Sequence, residues 1–151
     1  MDVATKLRLH EQCLSYIQSC INNSELALTD ALQSGNAEGK SSAGDKHETT
    51  RALLQLEQEK HTKQLQELLA LKEKLLRITP SIHSETVGVG SMVITSKGNF
   101  YIAIAAGKLT VDNVNYFSIS PNSPLALKLI GLKAKATAHF NGITYDIESV
   151  F

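Results

Sequence analysis

Apolar residues in the first half of the chain recur at helical spacing. Leu7, Leu14, Ile21 and Leu28 repeat every seven residues, and His10, Ile17, Ser24 and Ala31 follow each of them by three, as in the seam of a coiled coil. A second stripe, of looser register, runs through Leu54, His61, Leu65, Leu68, Leu71, Leu75 and Ile78. Between the two lies a stretch rich in Gly, Ser and Asn, residues 34–44. The pattern therefore predicts an antiparallel helical hairpin over residues 1–79, with its tip at 35–48. Each arm would have about 33 residues and a length of roughly 50 Å at 1.5 Å per residue.

From Val87 the period changes. Short β-rich runs follow one another: VGVGSMVIT, NFYIAIAA, VNYFSIS, AKATAHF and ITYDIESVF. Turn residues separate them at Lys97-Gly98-Asn99, Asp112-Asn113 and Asn141-Gly142, the last a strong hairpin dipeptide. Between the third and fourth runs, Ser123 suits an N-cap, Pro124 the first helical position and Gly131 a helix end, which predicts a short helix over LALKLI. The fold class expected is α+β: a helical hairpin, a linker at 80–86, and a small β-rich domain over 87–151. About 65 residues must form their own core there, a marginal but sufficient number.

Composition sharpens the boundary. All three prolines and seven of the eight aromatic residues lie at or beyond residue 80, Tyr16 being the exception. Lys+Arg and Asp+Glu number 15 each among the 151 residues, so nothing in the net charge attracts nucleic acid or an anionic membrane. The apolar runs are far shorter than a membrane span, and the opening MDVATKLRLHEQ lacks an apolar signal core. A cytoplasmic protein without membrane contact is expected. Cys13 and Cys20 are seven apart on one predicted helix, too far to bridge each other and without a zinc-type spacing, so both read as packing residues.

The predicted tip holds three partial motifs. Gly35 and Gly39-Lys40-Ser41 suggest a phosphate loop, but only Asn36, Ala37 and Glu38 separate them where four residues are needed, and a helix precedes them instead of a strand. His47-Glu48 suggests a zinc-protease helix, yet Arg51 stands where the second His ligand belongs. Asp45 and Glu48 survive this scrutiny. An Asp three residues before a Glu caps a helix start and suits the positive end of its dipole. The same two carboxylates are hard oxygen donors that could help hold Mg²⁺ inside another protein's cavity.

These residues bring a family into view. Gly44-Asp45-Lys46-His47-Glu48 at the tip, followed by GSMVIT, FSISPNSPLALKLIG and ITYDIESV in that order, resembles the bacterial Gre family of transcript-cleavage factors. The resemblance covers essentially the whole chain and is most specific in the C-terminal half. It implies an FK506-binding-protein-like (FKBP-like) C-terminal domain that docks on bacterial RNA polymerase, and a coiled coil that enters the polymerase's secondary channel. Asp45 and Glu48 would then be the catalytic and metal-holding residues, supplied in trans to a Mg²⁺ shared with the polymerase active site. The protein would be a monomer with no cofactor of its own and no enzyme activity alone, promoting cleavage of backtracked transcripts. The docking segment of the resemblance maps onto Asn122, Ser123 and Pro124.

The chain also departs from the family. Thr49-Thr50-Arg51-Ala52 replaces the usual Asn-Ala-Glu-Tyr after the second acid, putting a cation where an acid is expected. Arg51, with Lys40 and Lys46, offers cations for contact with nascent RNA phosphate. The docking segment has Asn122 where the family carries an acid, and Gly131-Leu132 and Lys135-Ala136 replace Gly-Lys and Gly-Asp. One rival is therefore a Gre-like paralogue that modulates or inhibits polymerase without cleavage. Another is an FKBP-like prolyl isomerase using Phe100, Tyr101, Tyr116, Phe117, Phe140 and Tyr145, although strand alternation makes most of these ordinary core. A third is a coiled-coil adaptor whose Leu68, Leu69, Leu75 and Leu76 serve a second chain.

Overall fold

A computed structural model describes residues 3–39 and 46–151, with the side chains of residues 34–48 outside that description. The fold is α+β. Two long helices, α1 (Val3–Gly39) and α2 (Lys46–Leu76), precede strands β1 (Met92–Thr95), β2 (Gly98–Ile102), β3 (Gly107–Val111) and β4 (Val114–Ile119). The short helix α3 (Pro124–Leu129) and strands β5 (Thr137–Phe140) and β6 (Ile143–Val150) complete it. The chain forms two compact units, one made of Met1–Tyr16 with Glu73–Phe151 and the other of Ile17–Lys72. Among the described residues, no helix is long and apolar enough to cross a membrane.

In the first unit the strands form one sheet in the order β3-β4-β2-β1-β6-β5. The β2·β4 pair is parallel and the other neighbouring pairs are antiparallel. Two hairpins close on the dipeptides marked by the sequence: Asp112 and Asn113 have φ of 51° and 65°, and Asn141 and Gly142 have 52° and 74°. Positive φ at both central residues matches the right-handed twist of the flanking strands. Helix α3 starts as expected, with Ser123 Oγ accepting the Ala126 N–H at 3.3 Å and Pro124 at the first position.

Two features of the sheet differ from the sequence pattern. Strand β3 was not among the expected runs, because Gly107-Lys108-Leu109-Thr110-Val111 offers only two inward apolar residues and lies at the sheet edge. The run VGVGSMVIT becomes a strand only from Met92. Ahead of it, Ser91 N–H donates to the Gly88 carbonyl, and Gly90 takes φ +85° where a Cβ would come within 2.8 Å of Ile78.

The sheet is covered on both faces around its centre, which is why β1 is buried at all four positions. One face, with α3 against it, is a continuous apolar core: Val93, Phe100, Ile102, Tyr145, Ile147 and Val150 from the strands, Ala126 and Leu129 from the helix. The opposite face carries Tyr101, Tyr116 and Ser118, also buried, and receives the first turns of α1. There the helix buries Lys6, Leu9, His10 and Cys13, while Leu7 is 40% exposed. Leu7 therefore does not belong to the seam that the heptad spacing suggested. Over these turns α1 is bonded to the sheet, and the bonds of His10 to Tyr101 and of Cys13 to Ser118 help decide which face turns inward.

In the second unit, burial follows a 3–4 spacing on each helix. Ile17, Ile21, Ser24, Leu28 and Ala31 are buried or half-buried on α1, as are Leu54, Gln58, His61, Leu65, Leu68 and Lys72 on α2. Two bonds cross between the helices: Lys72 Nζ donates to Gln18 Oε1 at 2.6 Å, and Gln58 Nε2 donates to the Ala31 carbonyl at 3.2 Å. The later α2 residue meets the earlier α1 residue, the order an antiparallel pair requires.

Candidate functional site

Of the residues proposed for the tip, Lys40 and Asp45 lie outside the described residues. Lys46 and Glu48 belong to the first turn of α2, and Arg51 is an exposed residue of the same helix. Among the described residues, no group of three or more His, Cys, Asp or Glu side chains is arranged to hold a metal ion. Mg²⁺ asks for near-octahedral oxygen coordination, so two carboxylates fit its donor chemistry but supply only part of its shell. The rest would have to come from a partner.

The segment proposed for partner binding lies in the other unit. Asn122 and Pro124 are exposed, and Ser123 is half-buried at the start of α3. The Ser123 hydroxyl is engaged in the helix cap, and the Asn122 N–H donates to Ser120 Oγ at 3.2 Å. These contacts fix the loop and leave the Asn122 and Pro124 side chains outward. Exposed Leu127 and Lys128 follow on α3.

A buried polar layer joins α1 to the sheet, and sequence reasoning did not identify it. Lys6, only 1% exposed, donates from Nζ to the Ile82 carbonyl at 2.6 Å. His10 Nδ1 and the Tyr101 hydroxyl share a hydrogen bond of 2.8 Å. Ser118 Oγ donates its proton to the Ile104 carbonyl at 2.6 Å, so the Cys13 thiol, 3.3 Å away, is the donor to Ser118. Burial pushes Lys6 and His10 below their ordinary pKa values, an effect on His10 that Glu11 partly opposes. It pushes the Tyr101 hydroxyl and the Cys13 thiol up. A thiol held protonated in this way is not a nucleophile. At the rim, Arg8 pairs with Asp112 at 2.8 Å and Gln12 donates to the Thr110 carbonyl at 2.9 Å. The available signal was the spacing of Lys6, His10 and Cys13, which puts a cation, an imidazole and a thiol on one helix face.

Two cavities lie within the second unit. One, of about 530 Å³, is lined by Ser24, Ala27, His61, Gln64, Leu68 and Leu71 among others. The other, of about 330 Å³, includes Ala27, Asp30, Ala31, Leu54, Glu57 and His61. His61 borders both and sits 3.5 Å from Glu57. The cavities reflect small α1 residues opposite it. Ser24 Oγ is buried without a hydrogen-bond partner.

The aromatic residues considered for an isomerase pocket are mostly core. Phe100, Tyr101, Tyr116 and Tyr145 are buried, and Phe100 meets Tyr145 edge-on with centroids 6.0 Å apart. Phe117, 43% exposed, leans on Phe100 at 6.3 Å. No protein-family model matches the chain, and no curated protein matches it.

Proposed function

We propose that the chain is a Gre-like factor of bacterial RNA polymerase. On this reading α1 and α2 form a coiled-coil hairpin that enters the secondary channel, and the FKBP-like sheet domain docks outside through the Asn122-Ser123-Pro124 segment. Asp45 and Glu48 contribute oxygen ligands to the second Mg²⁺ of a backtracked complex, whose own active site cuts the transcript. Lys40, Lys46 and Arg51 offer cations to the nascent RNA phosphates. Such an ion is the polymerase's, and the factor only completes its shell.

One observation carries the reading. The sequence Gly44-Asp45-Lys46-His47-Glu48 runs into the first turn of α2, the second of two long helices of 37 and 31 residues, and a six-stranded sheet with a Ser-Pro-capped short helix follows. Acids and docking segment thus belong to different compact units, as a factor that docks with one part and acts with another requires.

The test combines a polymerase pull-down with transcript cleavage on a backtracked complex. Asp45→Asn and Glu48→Gln keep side-chain size and remove a charged donor, so binding should persist while cleavage falls by about 10² or more, as for loss of a transition-state electrostatic contact. Unchanged cleavage in both variants would sink the metal-ligand role. The replacement of the family's acid and aromatic by Thr49-Thr50-Arg51-Ala52 favours a second reading, a paralogue that modulates polymerase without cleavage. Binding without cleavage in the parent protein would select it.

A further inference from the structure

In the second unit the apolar seam residues, Ile17, Ile21 and Leu28 on α1 and Leu54, Leu65 and Leu68 on α2, are separated by 3, 4, 7 or 11 residues, all close to whole helical turns. Aliphatic side chains at such positions are interchangeable when one helix slides past the other by a turn or a heptad, and register is then left to polar residues in the seam. The middle of this seam adds little discrimination, since the residues near His61 on α1 are the small Ser24, Ala27 and Ala31, beside grooves open to the surface.

Two polar bonds cross the pair on either side of Ser24. Lys72 reaches Gln18 on one side of it, and Gln58 reaches the Ala31 carbonyl on the other. Both are part-buried. Counted along antiparallel helices, the two bonds call for the same alignment to within one residue. A slip of one turn would break both pairings; Lys72 would lose the Gln18 side chain outright, whereas Gln58 could reach the carbonyl of an adjacent turn, so the Lys72 bond is the more selective of the two.

We propose that Gln58 and Lys72 are positioning residues that lock α2 against α1 in one register, while the small residues Ser24, Ala27 and Ala31 near His61 contribute little to the choice. Their role is to select an alignment and not to add stability. The inference concerns the second unit alone and holds whether or not the chain binds polymerase. In a factor of the proposed kind, register sets where the start of α2, with Glu48, stands along α1.

Spin-label distances in the full chain test it. The labels go on Ser19→Cys and Gln55→Cys, both exposed and offset from each other along the helix axis so that a slip changes their separation, in a background carrying Cys13→Ala and Cys20→Ala. The parent should give one narrow distance population. Gln58→Leu with Lys72→Met should add a second population displaced by about 5 or 10 Å, one turn or one heptad of helix, with helicity kept and the melting midpoint unchanged or raised. Each single variant should add a smaller second population. One unchanged population in the double variant overturns the proposal. Loss of helicity without a second discrete distance overturns it too, because the bonds would then serve stability instead of register.

Discussion

The two faces of the sheet are buried by different means. Under α3, Val93, Phe100, Ile102, Ala126 and Leu129 exclude water with apolar surface alone. Under α1, Lys6, His10, Tyr101, Cys13 and Ser118 are buried as well, and each has a hydrogen-bond partner. Apolar burial is non-directional and tolerates sliding, whereas a paired donor and acceptor fix one geometry. The α1 face also buries apolar surface, with Leu9, Met92, Leu109 and Tyr116 among it, and its polar pairs add a constraint on which side of the helix turns inward.

Mutations can break or sharpen this contrast. The largest effect is expected on the apolar face, where Ile102→Ala should lower unfolding free energy by about 2–5 kcal/mol, measured by denaturant titration. A loss below about 1 kcal/mol would mean that apolar packing under α3 contributes less than its burial implies. On the polar face the sign should reverse for Lys6, whose buried ammonium has no carboxylate partner among the described ion pairs. Lys6→Met retains the stem's packing and removes a desolvated charge, so it should stabilise by about 1 kcal/mol or more. Destabilisation of that size would show that the bond to the Ile82 carbonyl outweighs burial of the charge.

The smallest effect is a pH slope. Burial holds His10 below its ordinary value of 6.5, so the unfolded chain takes up the proton first as pH falls. Stability contributed by neutral His10 is complete above that value and declines as pH drops from about 6.5 towards the lowered folded-state pKa, below which it declines no further. His10→Gln should flatten this part of the profile, read from melting midpoints between pH 7 and pH 5. A profile equally steep in the variant would assign the slope to other groups.

How much of this was legible depended on whether the partner of each residue was local. Ser123, Pro124 and Gly131 announce α3 because a cap and a first-turn proline act within a few residues. Asp112-Asn113 and Asn141-Gly142 announce hairpins because positive φ is a property of the turn itself. Leu7 misled because the sheet bonds of His10 and Cys13 turn another face of α1 inward, a constraint no local spacing encodes. Strand β3 was missed because an edge strand shows the core only Leu109 and Val111. The candidate site was legible only as a motif. Asp45 lies outside the described residues, and under the proposed function most of the metal shell would come from another molecule.

The contacts of α1 with the sheet also have a history in time. Cys13 bonds to Ser118 across 105 residues of sequence, and His10 to Tyr101 across 91. At a synthesis rate of about 5–20 residues per second, roughly 5–20 s pass between the emergence of Cys13 from the ribosome and that of its partner. During that interval the inward face of α1 stands without its sheet. Lys6, His10 and Cys13 leave that waiting face less sticky than an all-leucine stripe would be, so the same polar residues that cost stability once buried suit a helix that is made long before its partner.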